Sequence, residues 1–213
     1  MNTISRVQSA KCGPVRADEG GPTEVAPAAA SSTAPWPVGP RASSVKTPRL
    51  GFPRRSIDVP RETVRLWWLG VHGGAGETTL AQLLEGSWET GHAWPQTDTN
   101  ATEPPDVILV ARTNARGLRA AQLAAIEWAS GSVPVHLHGL VLIADAPGRL
   151  PKPLKDFALV VAGGVPRVWR LPWVEAWRLG EPVCAETAPR AVAAFLDELR
   201  AQQLGADTPI PTP

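Results

Sequence analysis

The sequence lacks the features that mark membrane proteins, disulfide-stabilised proteins and strongly charged binding proteins. No stretch approaches the roughly 18 consecutive apolar residues that span a bilayer, and the first ten residues have no apolar signal-peptide core. A net charge of +1 gives no overall attraction to nucleic acid or to an acidic partner. These absences predict a cytoplasmic protein without a transmembrane segment.

Cysteine and tyrosine are also scarce. There are two cysteines, Cys12 and Cys184, and their wide separation is typical of neither a disulfide framework nor a zinc-ligand cluster. Tyrosine is absent, tryptophan occurs nine times and arginine far exceeds lysine, a usage that favours a GC-rich bacterial genome. This bias carries no information about chemistry.

The chain length predicts one domain with two tails. Residues 1–60 are rich in Pro, Ala, Ser, Thr and Gly and have no periodicity, so we expect a disordered arm that cannot bury enough apolar surface to fold. Residues 61–205 form the predicted domain. Residues 206–213 are predicted to be a disordered tail.

Strand and helix patterns alternate through the domain. After a first strand and helix, the pattern predicts strands at 107–111, 135–143 and 168–171, and helices at 115–129, 154–161 and from the cap Thr187 to Gly205. Residues 86–105 are polar and are predicted to be irregular. Alternation of this kind is typical of an α/β fold with three layers and a mainly parallel sheet, in which four strands can be placed.

The clearest motif joins the first strand, residues 64–71, to the first helix. Residues 71–80 read VHGGAGETTL, and a strand that feeds a glycine-rich turn into a helix aims backbone N–H groups at a phosphate. In the standard phosphate-binding loop a lysine follows the last glycine, and a Ser or Thr after it holds Mg²⁺. Here Glu77 stands at the lysine position and Thr78 keeps the hydroxyl. Glycines in a simple tight turn are the alternative explanation.

The motif resembles the deviant Walker A loop, K-G-G-x-G-K-[ST]-T, of the MinD/ParA family of P-loop ATPases. The positions that match or fill this pattern are Gly73, Gly74, Ala75, Gly76, Thr78 and Thr79. His72 replaces the signature lysine of the family, and Glu77 replaces the phosphate-binding lysine. A weaker likeness extends over residues 64–204, but there is little room for the second strand, the switch aspartate and the Walker B strand. In a competing register, Asp145 ends a Walker B strand and contacts Mg²⁺ through water.

The resemblance implies a three-layer P-loop domain with ATP and Mg²⁺ as cofactors. The implied nucleotide site is residues 72–79, comprising His72, Gly73, Gly74, Ala75, Gly76, Glu77, Thr78 and Thr79, with Thr78 as the metal ligand or, alternatively, as the helix N-cap. The family organises cargo through ATP-dependent dimers, which implies a protein partner and a homodimer. We therefore expect a degenerate accessory or regulatory interaction protein in a bacterial cargo-positioning, partition or secretion-type system.

Glu77 argues against efficient ATP hydrolysis. One charge pair at about 4 Å is worth roughly 4 kcal/mol, and exchanging lysine for glutamate turns this attraction into repulsion. No catalytic residue is therefore assigned, and we expect a pseudo-ATPase. The alternative is an active ATPase completed by a cation from a partner, or within the chain by Arg112, Arg116 or Arg149.

Three further groups of residues have alternative interpretations. His136 and His138 have metal-compatible spacing on one strand face, but no third ligand lies near them in the sequence. Basic residues at 41–55 suit DNA or anionic lipid, although a solvated linker is the commoner structure for such a run. Trp169, Trp173 and Trp177 recur every four residues, which favours core packing over a docking surface.

Overall fold

The structure is a computed structural model and describes residues 51–56, 64–96, 103–185 and 188–206, all within one compact unit. The strands are β1 (Arg54–Ser56), β2 (Leu66–Gly70), β3 (Ser87–Glu89), β4 (Trp94–Gln96), β5 (Asp106–Arg112), β6 (His136–Ile143) and β7 (Val168–Leu171). The helices are α1 (Glu77–Leu83), α2 (Ala115–Ala129), α3 (Lys152–Ala162), α4 (Glu175–Arg178) and α5 (Arg190–Ala206). The predicted α/β fold with a parallel sheet is confirmed.

The main sheet has the strand order β3-β2-β5-β6-β7, and every neighbouring pair is parallel. Its central strands are buried on both faces, as parallel strands covered by helices must be. Side chains of α2 and α3 join the core on one face, with Leu118 and Val161 as examples. Side chains of α1 and α5, such as Leu80 and Phe195, join the core on the other face.

Three short strands lie in segments that the sequence analysis predicted to be irregular or disordered. β3 and β4 fall within residues 86–105, and β1 falls within the predicted arm, so those predictions are wrong at these positions. Each of these strands has three residues, too few for a periodic pattern, and each is ordered by a parallel partner: β3 pairs with β2, and β1 pairs with β4. The rest of the arm prediction lies outside the described residues.

Two other predictions about the ends of the chain can be compared with the structure. Arg54 and Arg55, the last two residues of the basic 41–55 run, belong to β1 and not to a linker, while the other basic residues of that run lie outside the described residues. Thr187, the predicted cap of the last helix, also lies outside them, and α5 ends at Ala206. No helix in the described segments is long and apolar enough to cross a membrane.

A buried carboxylate holds the β1–β4 pair against the main domain. Glu127 on α2 is only 4% exposed, and one of its oxygens accepts hydrogen bonds from the backbone N–H of Phe52 at 2.8 Å and from the indole N–H of Trp94 at 3.0 Å. The ring of Trp94 is fully buried. Glu127 therefore fixes the segments that contain Phe52 and Trp94, in which the local sequence does not predict regular structure.

Candidate functional site

The loop between β2 and α1, residues 71–76, is here called the glycine loop. It leaves the carboxyl edge of the sheet and turns through Gly74 (φ 75°) and Gly76 (φ 108°), two positions in the left-handed region that favours glycine. A side chain at Gly73 or Gly74 would meet no atom within 4 Å, so this part of the loop faces open space. Ala75 is fully buried and anchors the loop in the core.

Glu77 folds back beneath the glycine loop. Its side chain is buried, its Oε2 accepts the backbone N–H of Gly76 at 3.1 Å, and its Oε1 lies 3.1 Å from Nδ1 of His92. The carboxylate rests on the end of β2, because a Cβ on Gly70 would lie 2.2 Å from Cδ of Glu77. A carboxylate of the chain itself therefore accepts a hydrogen bond from a backbone N–H of the loop.

His92 completes this arrangement from the segment that follows β3. Its Nδ1 is 2.7 Å from the carbonyl oxygen of Gly70 as well as 3.1 Å from Glu77. Since both neighbours are acceptors, Nδ1 carries the proton and donates. His92 adopts this position with a positive φ of 63°, which is uncommon for a residue with a side chain. The sequence analysis did not identify His92.

His72 points back into the domain instead of out of the loop. The backbone N–H of Arg112 donates to its Nε2 at 3.0 Å, so the proton of a neutral ring is on Nδ1, which faces the carbonyl oxygen of Gly73 at 3.0 Å. Gly117 makes room for the ring, since a Cβ there would lie 2.8 Å from Nε2. Both ring nitrogens of His72 therefore bind within the chain.

Arg112 is the cation that reaches the glycine loop. Its Nε donates to the carbonyl oxygen of Gly74 at 3.3 Å, and its Nη1 donates to that of Ala144 at 3.0 Å. Burial lowers the pKa of the Arg112 guanidinium. The negative charge of Asp145 raises this pKa and the positive charge of Arg178 lowers it, and the pKa lies below its ordinary value. The group stays charged, because arginine does not lose its proton in proteins. Arg116 and Arg149, the other two predicted cations, are exposed.

Thr78 and Thr79 lie inside the first turn of α1. The N-cap of the helix is Gly76, which has no side chain to cap with, so the alternative that Thr78 is the N-cap is wrong. The glycine turn leads directly into the helix, so Thr78 lies two positions after the N-cap. Its side chain is exposed, and its role as a magnesium ligand stays a prediction.

Asp145, the aspartate of the competing register, follows β6. β5 separates β6 from β2, so this aspartate is not on a strand adjacent to the one that carries the glycine loop. Its Oδ1 accepts from Nδ2 of Asn114 at 2.9 Å, and its backbone N–H donates to Oγ1 of Thr113 at 3.1 Å. Asp145 therefore connects the carboxyl ends of β5 and β6.

A second polar cluster lies at the opposite, amino edge of the sheet. Asp106, His136 and His138 form it and are here called the amino-edge triad. Oδ1 of Asp106 lies 2.9 Å from Nδ1 of His136 and 2.7 Å from Nε2 of His138. The sequence analysis found no third ligand for the histidine pair, and the structure supplies Asp106. The available signal was that Asp106 and His136 each begin a strand of the same parallel sheet.

The contact between the buried Glu77 carboxylate and Gly70 leads to a prediction about the free energy of unfolding. Gly70→Ala is expected to destabilise the native chain by about 1–3 kcal/mol, because the new Cβ would overlap Cδ of Glu77. In a Glu77→Ala background the same change is expected to cost much less, giving a coupling free energy of about 1–2 kcal/mol. Urea unfolding of the four proteins measures this cycle. Additive effects would mean that the carboxylate does not lie against Gly70.

Comparison with known proteins identifies a family of the chain but no established function. Residues 64–195 match the model of a family of unknown function, DUF6668. No curated protein and no solved structure matches the chain. The matched residues include both the glycine loop and the amino-edge triad.

Proposed function

The chain belongs to DUF6668, a family of unknown function, and we propose that it is a P-loop-like pseudo-ATPase that acts as an accessory or regulatory interaction protein. The proposal places it in a bacterial cargo-positioning, partition or secretion-type system related to the MinD/ParA proteins. One observation supports the pseudo-ATPase part of this proposal: the Glu77 carboxylate is buried beneath the glycine loop and accepts the backbone N–H of Gly76.

A P-loop binds phosphate with backbone N–H groups, a helix N-terminus and a lysine. In this chain Glu77 uses the N–H of Gly76, and the residue in the lysine position is an acid. A phosphate on the loop would be repelled by this negative charge, and at a separation of about 4 Å one charge pair is worth roughly 4 kcal/mol. The residues present therefore do not fit Mg²⁺-ATP in the arrangement of an active P-loop.

The residues around the glycine loop support a structural role for it. Arg112 donates to the carbonyl oxygens of Gly74 in the loop and of Ala144 just after β6, and both ring nitrogens of His72 bind within the chain. His72, which stands at the position of the family's signature lysine, thus bonds to the backbone of Arg112 and Gly73. A loop held by these hydrogen bonds stabilises the domain and does not hydrolyse nucleotide.

Apolar side chains on α2 and α3 support action through protein contact. Leu123, Leu159 and Val160 are exposed, and Val160 of α3 lines a groove together with Ile126 of α2. Exposed apolar side chains that lie close together are typical of protein-binding surfaces. A domain without turnover can act in a cargo system by such contacts.

ATP hydrolysis by the full chain tests the proposal. We expect the chain alone to release phosphate from Mg²⁺-ATP at the rate of a buffer blank, the chain with cell extract to match the extract alone, and Thr78→Ala to give the same rates. Turnover above the blank that Thr78→Ala abolishes would instead support the alternative, an active ATPase whose missing cation comes from a partner. Turnover above the blank that Thr78→Ala leaves unchanged would also contradict the expected result, unless further purification separates it from the chain.

A further inference from the structure

We propose that the amino-edge triad, Asp106, His136 and His138, binds a divalent transition-metal ion of the zinc class. Imidazole nitrogen and carboxylate oxygen are ligands that zinc prefers, and three protein ligands leave a coordination position open. This inference is independent of the proposed function, because the triad lies at the amino edge of the sheet and the glycine loop lies at the carboxyl edge.

The sheet itself assembles the triad. β5 and β6 are parallel neighbours, and their register sets Asp106 directly beside His136. The register then shifts, so that Val107 pairs with Leu137 and Ile108 with Gly139, which leaves His138 as the extra residue of a bulge. Bulges redirect a side chain and are common next to functional sites. Here the bulge brings His138 to the carboxylate that His136 also contacts.

The distances suit a metal after a small adjustment. One ligand atom from each of the three residues lies within 4.8 Å of the others, and Oδ1 of Asp106 is 2.9 Å and 2.7 Å from the two ring nitrogens. Tetrahedral bonds of about 2.0–2.1 Å separate neighbouring ligand atoms by about 3.3 Å. Each ring nitrogen would therefore move about half an ångström away from Oδ1 of Asp106, and the two ring nitrogens, up to 4.8 Å apart, would approach each other by up to about 1.5 Å.

The three side chains of the triad differ in exposure. Those of Asp106 and His136 are 43% and 56% exposed, so their ligand atoms are accessible to a metal ion from solvent. The side chain of His138 is 14% exposed, and its Nε2 lies 2.7 Å from the Asp106 carboxylate. One ligand of the triad is therefore held within the domain, and the other two are accessible.

The triad opens into a cleft of about 540 Å³. Leu66, Ile108 and Leu199 give the cleft apolar walls, and Arg65, Glu103 and Gln202 give it polar groups. An apolar cleft with a few convergent polar groups is the usual form of a small-molecule site. A water molecule or small ligand on the open position of the metal would lie in this cleft.

The test is calorimetric titration of ZnCl₂ into the full chain after treatment with a chelator and removal of that chelator. To exclude thiol binding, the protein carries Cys12→Ser and Cys184→Ser. We expect one zinc per chain with a Kd below about 10 µM, and at least about a hundredfold loss of affinity in His136→Ala and in His138→Ala. Changes to residues that only support the ligands lower metal affinity by about 10–100-fold, and removal of a ligand itself is expected to cost at least as much.

The remaining histidines supply the matched control. His92→Ala removes an imidazole elsewhere in the chain and is expected to leave zinc affinity within about threefold of the parent, as is His72→Ala. His136 is exposed, so His136→Ala keeps the test usable if His138→Ala does not fold. Zinc binding weaker than about 100 µM would overturn the proposal. Equal affinity in the parent and in a folded His136→Ala would also overturn it, as adventitious binding.

Discussion

Glu77→Lys is expected to bind Mg²⁺-ATP at least about a thousandfold more tightly than the native chain. The change removes the carboxylate that accepts the N–H of Gly76 and supplies the cation that a P-loop uses to neutralise phosphate. The repulsion that is lost and the attraction that is gained are each worth roughly 4 kcal/mol at full strength, or about 2 kcal/mol each at half strength. The half-strength sum of about 4 kcal/mol corresponds to about a thousandfold in affinity, because every 1.4 kcal/mol is tenfold. Calorimetric titration of both full-length proteins measures the difference.

Glu77→Gln is the matched control for charge. It keeps the size of the side chain and one oxygen that can accept from Gly76, while the negative charge and the second acceptor, which faces His92, are lost. We expect an affinity between those of the native chain and Glu77→Lys. If a folded Glu77→Lys bound Mg²⁺-ATP no better than the native chain, the charge at residue 77 would not be what disables the loop.

Glu127→Ala is expected to lower the free energy of unfolding by about 2–4 kcal/mol. The change leaves two donors without their acceptor, the backbone N–H of Phe52 and the indole N–H of Trp94. A buried donor left unsatisfied costs about 1–3 kcal/mol, and relief of the buried charge offsets part of the sum. Urea unfolding followed by tryptophan fluorescence gives the value.

Glu127→Gln separates hydrogen bonding from charge at the same position. A glutamine oxygen can still accept from one or both donors, so we expect a loss of less than half that of Glu127→Ala. A Glu127→Ala protein as stable as the native chain would show that this carboxylate does not hold the β1–β4 pair. Equal losses in the two variants would instead assign the effect to charge.

The elements that could be predicted from sequence are those that carry a long pattern. The predicted helix 115–129 has the bounds of α2, and the predicted strand 168–171 has those of β7. β1, β3 and β4 could not be predicted, because three residues have no period and their order comes from partner strands. Local pattern therefore predicts β2, β5, β6 and β7 of the main sheet and misses β3 at its other edge and the separate β1–β4 pair.

The sites show the same division between local and long-range information. The sequence identified Glu77 as the unusual residue of the glycine loop, but its contact with His92 depends on how the segment after β3 returns to Gly70. Asp106 and His136 are 30 residues apart, and only the parallel register of β5 and β6 makes them neighbours. Residue types near one another in sequence were recognised, while partners brought in by the sheet were not.

The most direct test of the central claim, that Glu77 closes the glycine loop to phosphate, is calorimetric titration of Mg²⁺-ATP into the native full chain. The account predicts no saturable binding up to about 1 mM ATP, because the carboxylate beneath the loop accepts the N–H of Gly76 and repels the incoming phosphates. Saturable binding with a Kd of about 10 µM or below, lost in Thr78→Ala, would contradict it. Glu77 would then have to leave the loop when nucleotide binds, and the chain would be a nucleotide-binding protein.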